Sequence, residues 1–448
     1  MIATAPGIWD HHWMPETTLS IIYLTPGAGG MICGSCLSDN MLAANMHAQG
    51  HQALLVPLYT PITTDEPNAS INKLFFGGIN VYLQQKVPLF RALPRFLDRV
   101  LDWPALVGLF AGRAVGLPGE QLGALTLSMV RGEHGHQRKE VRRLVDWLAA
   151  RPRPDVVNLS NLLIGGCIPA NKRRLNVPIV VTLQGDDLFL DDLPDPYRAE
   201  TLVELQSLAA EVDRFIVHSR FYADKMAEYF QIPADRFEVV PLGISPVEFS
   251  PPAEPVSGVP IIGYLARICP AKGLHILVNA YLKLKQTDEF RETRLHVAGW
   301  LGEVDREYFE EQQERIRDAG WEDHFQYAGV LDRAKKYEFL ASLDLLSVPT
   351  TYEEPKGRFV LEALACGTPV VQPAHGAFPE LLDRTGGGRL FQPNDADDLA
   401  AQLTEILADP ALRREMSEQG RQGVLQHAHV NQAVAATLAV YKKSCLPQ

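Results

Sequence analysis

Two series of short, uninterrupted apolar runs, each run followed by a stretch of helical character, set the fold class of this chain. The first series opens with LSIIYL (Leu19–Leu24) and continues with ALLVPLY (Ala53–Tyr59), DVVNLS, PIVVTLQG, RFIVHS and FEVVPLG. The second begins near residue 256 and comprises PIIGYLAR, RLHVAGW, FQYAGV, LDLLSVPT and TPVVQP. Continuous Val, Ile and Leu suit parallel strands covered by helices on both faces, whereas strands with one wet face alternate. At the head of the first series the glycine-rich loop PGAGGMICG leads into SDNMLAANMHAQGH, which gathers its apolar residues near one face and stops at Gly50. Strand, glycine loop, helix, strand is the opening of a doubly wound α/β domain.

The chain has 448 residues, a length that predicts two or three domains. The Pro- and Ser-rich segment Ser245–Gly258 separates the two series and reads as a linker. The expected organisation is a tail over residues 1–16, a Rossmann-like domain over 17–245, a second over 246–427 with a cleft between them, and a final helix over 428–448. Residues 61–154 fit neither series. They mix large apolar side chains with Lys86, Arg91, Arg95 and Arg99, and read as an insertion of helical character. The stretch around Arg91–Arg99 suits contact with an anionic membrane surface. A packed helix with snorkelling arginines is the reading that the acidic balance favours.

That balance is 42 Lys and Arg against 54 Asp and Glu, a formal net charge of −12. It argues against a general nucleic-acid binder but leaves room for an anionic ligand held by a few local cations. With 46% hydrophobic and 21% charged residues the chain can bury two large cores. Its six cysteines are scattered and form no disulfide framework. The opening MIATAPGIWDHHWMPETT lacks a signal-peptide pattern, and Pro26 and several glycines break the uncharged run from Thr17 to Ser38, so it reads as strand plus loop. The cytoplasm is the expected compartment.

The strongest local signal is EPKGRFVLEALACGTPVV, Glu354 to Val371. Read alone, Glu354 and Glu362 could be solvated charges on a helix. With Gly357 between them and a helix leading to Cys-Gly-Thr-Pro, both carboxylates can face one ligand at the helix N-terminus. Free N–H groups and the positive end of the dipole favour phosphate there, while carboxylates hold hydroxyls. In GYLARICPAKGLHILVNAY, an apolar strand ends at Arg267 and Lys272 follows before a helix. Two cations at the carboxyl end of a strand suit a pyrophosphate, because open α/β sheets place ligands there. Hydroxyls beside a diphosphate describe a nucleotide sugar.

On these residues the sequence resembles glycosyltransferase family 4, of the two-domain GT-B architecture, over most of residues 17–445. The resemblance rests on Arg267, Lys272 and Gly273, on the Glu354–x7–Glu362 stretch, and on the loop HGAFPEL (His375–Leu381). It implies a C-terminal helix crossing back to the first domain, and a retaining hexosyl transfer from a nucleoside-diphosphate sugar without a metal or cofactor. Arg267 and Lys272 would neutralise the leaving diphosphate, Glu354 would hold sugar hydroxyls and Glu362 the ribose. Gly357 would lie at the donor, and Gly29 and Gly30 in the first domain would pack close to donor or acceptor. The acceptor could be a small molecule, a saccharide or a lipid. Two departures stand out. Gln184 replaces a common histidine in the segment TLQGDD and can still donate to a sugar hydroxyl. Lys356 and Arg358 stand where aromatic and aliphatic residues are common, adding cations near the donor.

The Arg and Lys pairing points to departure of a diphosphate rather than to a carboxylate nucleophile of glycosidase type. The expected chemistry is a front-face displacement in which the leaving phosphate oxygen takes the acceptor proton. Domain closure would exclude water. A nucleotide-sugar epimerase of the same architecture and a non-catalytic nucleotide-sugar binder are the alternative functions. Three further features have two readings each. Cys33-x-x-Cys36 reads as loop packing, with thiol chemistry as the other reading. His134 and His136 resemble half a metal site but also suit a polar loop. His375 is a loop residue for either ligand contact or structure.

Overall fold

The computed structural model describes residues 18–27, 33–76, 85, 119–245 and 258–446. The tail, Gly29 and Gly30, nearly all of the expected linker, Lys86 and the Arg91–Arg99 stretch lie outside the described residues. Among the described residues twelve strands form two six-stranded sheets. The first contains β1 (Ser20–Thr25), β2 (Gln52–Pro57), β3 (Val156–Leu159), β4 (Ile179–Thr182), β5 (Arg214–Val217) and β6 (Phe237–Val239), in spatial order β2-β1-β3-β4-β5-β6. The second contains β7 (Ile261–Leu265), β8 (Arg294–Ala298), β9 (Phe325–Tyr327), β10 (Leu345–Leu346), β11 (Val370–Pro373) and β12 (Gly388–Phe391), in order β12-β11-β10-β7-β8-β9.

Every pairing is parallel, as the continuous apolar runs predict. Ile22 stands opposite Leu54 of β2 and Val157 of β3. On one face of the first sheet Ile22 and Leu24 pack with Val157, Val141 and Leu144. On the other, Ile21 meets Met41 and Met46 of the Gly34–Ala48 helix. Each of these side chains contributes about 1.5–3 kcal/mol by leaving water, so the sheet is held from both faces. The strand β12 is absent from the sequence reading: its GRLF has too short an apolar run and lies at the sheet edge.

The last helix, Val430–Ser444, crosses back to the first sheet. Its Val430, Val434, Leu438 and Tyr441 pack against Leu19, Ile21, Val156, Val180 and Ile216. The crossing is pinned where Ile244 N–H donates to the Ala428 carbonyl and Val430 N–H to the Ile244 carbonyl, both at 2.8 Å. Within the insertion the described residues include two helices, Gly119–Val130 and Arg138–Ala149. Among the described residues no helix is long and apolar enough to cross a membrane.

Both sheets reverse their winding beside their first strand: between β1 and β3 in one sheet, between β7 and β10 in the other. At such a reversal the loops leaving the carboxyl ends diverge and open a crevice. The segments after β1, β4, β7 and β10 meet there, and they carry most of the charged residues that the sequence singles out.

Candidate active site

After β7, the turn Pro270–Lys272 delivers Lys272, and Gly273 begins the Leu274–Leu284 helix with φ +73°. A Cβ at Gly273 would stand 1.8 Å from the Pro349 carbonyl oxygen, so only glycine lets this turn lie against the loop after β10. The approach brings the Lys272 ammonium to 2.8 Å from Glu354 Oε2, which also accepts from the Tyr352 hydroxyl at 2.8 Å. Lys272 lies over the Tyr352 ring, 5.0 Å from its centre. Glu354 is buried, which by itself would raise its pKa. Lys272, Tyr352 and Lys356 overcome that and hold it down at about 2. Arg267 is exposed and has Cys269, Asp305 and Tyr352 as electrostatic neighbours, so both cations have Tyr352 as a neighbour.

Gly357 is the N-cap of the Arg358–Ala365 helix with φ +70°, and its N–H points toward Glu354 Oε1 at 3.4 Å. Glu362 lies on the first turns of that helix, but it does not join Glu354. Its Oε1 accepts from Lys336 at 3.1 Å and from Arg358 at 3.0 Å. Lys336 also reaches Asp65 at 2.8 Å, and Arg333 reaches Glu66 at 2.6 Å. An acidic pair from the insertion therefore caps the cations around Glu362. Burial opposes ionisation of Asp65 and Glu362, and Lys336 in each case prevails and lowers the pKa. The sequence reading missed Asp65, Glu66, Arg333 and Lys336, since no short-range spacing links them to the glutamates.

Lys356 crosses the crevice. Although 8% exposed, it donates to Ser35 Oγ at 2.7 Å and to Gln184 Oε1 at 3.1 Å. Gln184 follows β4, and its Nε2 donates to Asp39 Oδ1 and to the Ser160 carbonyl, both at 3.1 Å. Asp39 also accepts from Tyr23 at 3.0 Å and Thr25 at 2.8 Å. Burial pushes Asp39 up to about 6 against these hydrogen bonds. Burial likewise lowers the Lys356 pKa, opposed by Cys33, Glu354 and Asp39. A second crossing is made by Glu380 of HGAFPEL, which lies in the first turn of the Phe378–Thr385 helix rather than in a loop and accepts the Arg220 and Phe221 N–H groups at 2.9 and 2.6 Å. That contact gives the Arg220–Phe230 helix a carboxylate at its N-terminus. His375 bonds the Thr350 carbonyl at 3.0 Å through Nε2. His136 faces Gln85 at 3.0 Å, and His134 is exposed at the surface. Among the described residues no group of three or more His, Cys, Asp or Glu could hold a metal ion.

Comparison with known proteins decides which family carries this arrangement. Residues 40–248 match the family model Glycosyltransferase Family 4, and residues 248–423 match Glycosyl transferases group 1. The chain belongs to glycosyltransferase family 4.

This glycosyltransferase is 27% identical over 404 residues to a D-inositol 3-phosphate glycosyltransferase of Mycolicibacterium smegmatis, covering 82% of the chain and 86% of the relative. It is 28% identical to an MMP alpha-(1->4)-mannosyltransferase of Mycolicibacterium hassiacum, a match covering 54% of the chain and only 57% of that relative. The GT-B fold recurs in HepE from Anabaena, solved in complex with UDP, with a TM-score of 0.68, 18% identity and coverage of 95% of this chain and 100% of that one. Sucrose-phosphate synthase from Thermosynechococcus elongatus gives a TM-score of 0.70 at 18% identity, covering 95% and 98%. The glycosyltransferase thus has two Rossmann-like domains facing each other across the crevice that Lys356 spans.

Proposed function

We propose that this glycosyltransferase moves a hexosyl group from a nucleoside-diphosphate sugar to an acceptor hydroxyl with retention of configuration and without a metal. The observation that carries the reading is the Lys272–Glu354 contact at the winding reversal of the second sheet, with Arg267 beside it. Arg267 and Lys272 stabilise the diphosphate as it departs, and Glu354, Gly357 and Glu362 hold hydroxyls of the sugar and ribose. Lys356 and Gln184 bring a cation and an amide from opposite domains to the sugar. The bond from the anomeric carbon to the diphosphate oxygen breaks, and the acceptor oxygen bonds to that carbon on the same face. The acceptor proton passes to the departing phosphate oxygen. The protein contributes orientation and charge stabilisation, and closure of the domains keeps water from the donor.

A uridine-diphosphate sugar is the first donor to try, because HepE is solved in complex with UDP and with UDP-glucose. Saccharides and inositol phosphates are the first acceptors, following the names of the relatives. All six cysteines are free thiols, in keeping with the cytoplasmic location that we propose. The test is nucleoside-diphosphate release from UDP-, GDP- and ADP-sugars in EDTA, with and without mixed acceptors. Release from one donor class, stimulated by an acceptor, with an anomer of unchanged configuration by NMR, supports the reading. Isomerisation of the donor, an inverted product, or activity that appears only when metal is restored overturns it.

A further inference from the structure

The pair Cys33 and Cys36 has no part in the transfer chemistry, yet its surroundings are unlike those of a packed loop. Cys33 is the N-cap residue of the 15-residue Gly34–Ala48 helix, and Cys36 lies on its first turn. Residues three apart on a helix start share a face. Cys33 is half-buried, and Cys36 is 1% exposed. Each thiol is the strongest electrostatic neighbour of the other. Between them in sequence stands Ser35, whose hydroxyl receives the Lys356 ammonium at 2.7 Å from the other domain. We propose that Cys33 and Cys36 are a dithiol redox site at the crevice, oxidised to an intramolecular disulfide by small-molecule disulfides of the glutathione class.

Disulfide exchange needs an accessible thiolate to attack and a protected thiol to resolve. The two cysteines divide these roles. The Cys33 thiol is held well below its ordinary range, first by the Cys36 thiol. Burial opposes this, while Lys356 and the backbone N–H groups of Ser35 and Cys36 assist it. The positive end of the helix dipole acts in the same direction. Cys36 is raised, by the neighbouring Cys33, its own burial and the charge of Asp39. The other cysteines lack this arrangement. Burial pushes Cys167 and Cys366 up to about 12, and raises exposed Cys445 as well.

In the first step the Cys33 thiolate attacks one sulfur of oxidised glutathione. Its S–S bond breaks, one glutathione thiolate leaves, and a mixed disulfide forms on Cys33. Loss of the negative charge on Cys33 removes the main electrostatic barrier to ionising Cys36, which gives its proton to solvent. The Cys36 thiolate then attacks the Cys33 sulfur and expels the second glutathione thiolate. Two electrons pass from the cysteine pair to one oxidised glutathione, and the two expelled glutathione thiolates become thiols by taking up the Cys36 proton and one proton from solvent. Oxidation also takes a negative sulfur from beside Lys356, leaving that cation to Gln184, Glu354 and Asp39. The redox state of the pair thereby sets the charge balance around a residue that spans the crevice.

The test uses the full chain and chemical readouts that do not depend on the transferase reading. Limiting iodoacetamide at pH 7, followed by peptide mapping, should label Cys33 at least about tenfold faster than the more exposed Cys445, because alkylation follows the thiolate fraction. Incubation with oxidised glutathione should remove two hydrogens from the peptide that carries both cysteines. Dithiothreitol should restore them. Cys36→Ser should accumulate the glutathione adduct on Cys33, and Cys33→Ser should leave Cys36 unmodified. Lys356→Met should slow labelling of Cys33, with circular dichroism as the check on folding. Labelling of Cys33 no faster than Cys445, or no internal disulfide at any glutathione ratio in the unaltered protein, overturns the proposal.

Discussion

Lys356 and Gln184 join the two domains: the Lys356 ammonium donates to Gln184 Oε1 at 3.1 Å, from the loop before the Arg358–Ala365 helix to the loop after β4. The direction of this bond is set from behind. Asp39 and the Ser160 carbonyl both accept from Gln184 Nε2, so the amide must present its oxygen to Lys356. A carboxamide can make two donations and still accept on its oxygen, whereas a neutral imidazole has one donor and one acceptor. We expect Gln184→Leu to lower kcat/KM by roughly 10- to 100-fold, the loss of a hydrogen bond to a charged group. Gln184→His should fall between, because it can keep one donor and the acceptor. Steady-state kinetics on the three proteins gives the ranking, and equal activity of all three would remove Gln184 from the site.

Glu354 should matter to both turnover and acid stability. A carboxylate held at about 2 contributes stability that is complete above its unfolded 4.5 and is lost as the pH falls through the folded value. Glu354→Gln should therefore lower stability by on the order of 3 kcal/mol at pH 7 and about 1 kcal/mol at pH 3. Its turnover should drop by orders of magnitude at both substrate extremes. Denaturant unfolding at the two pH values measures the first, and a pH-independent difference would contradict the Lys272 pairing as its cause.

Asp39 and Asp186 act with the opposite sign. Burial pushes Asp39 to about 6 and Asp186 to about 7, against an ordinary 3.8. Asp186 keeps hydrogen bonds from Leu162 N–H at 2.6 Å and Gln184 N–H at 3.0 Å, yet these do not offset its loss of water. A carboxyl with a raised folded pKa holds its proton more tightly when folded, so stability declines as the pH rises from 3.8 through the folded value. From pH 7.5 to 5.5 these two carboxyls should add about 3 kcal/mol, while buried His218, its pKa held down at about 4 by loss of water, should take back about 1 kcal/mol. Asp186→Asn should flatten that profile. An Asp186→Asn profile parallel to that of the wild type over this window would show that water reaches the Asp186 carboxyl.

The acidic pair Asp65 and Glu66 should govern closure. Their contacts with Lys336 and Arg333 tie the insertion to the second domain beside Glu362. Removing one side of a buried ion pair costs about 3 kcal/mol or more, because the partner charge is left unpaired. The double variant Asp65→Asn, Glu66→Gln should open the crevice without nucleotide, seen as a larger radius of gyration in small-angle scattering. UDP should compact it again if the nucleotide binds both domains. An unchanged radius would assign closure to Glu380 and the Val430–Ser444 crossing.

The family resemblance located Arg267, Lys272, Glu354, Glu362 and Gln184, but no local pattern revealed their partners. Lys272 and Glu354 are 82 positions apart, and Lys356 and Gln184 are 172 apart. Such pairs exist only after β7 and β10 are neighbours and the two sheets face each other. The paired glutamates show the same limit: their spacing put both on one helix start, and the structure gave each a different cation. β12 escaped notice because an edge strand needs one buried face and a short hydrogen-bonded ladder, not a continuous apolar run.

Apolar periodicity along the chain was sufficient for two parallel α/β sheets, because burial on both faces leaves a local signature in residue type. Motif spacing after apolar runs, together with the family resemblance, put Lys272 after β7 and Glu354 and Glu362 after β10. Which carboxylate neutralises which cation, why Gln184 must turn its oxygen outward, and how Cys33 comes to lie beside Lys356 were decided by tertiary structure. Those contacts join residues far apart in sequence, and their energies depend on burial and on distances of a few ångströms that folding alone creates.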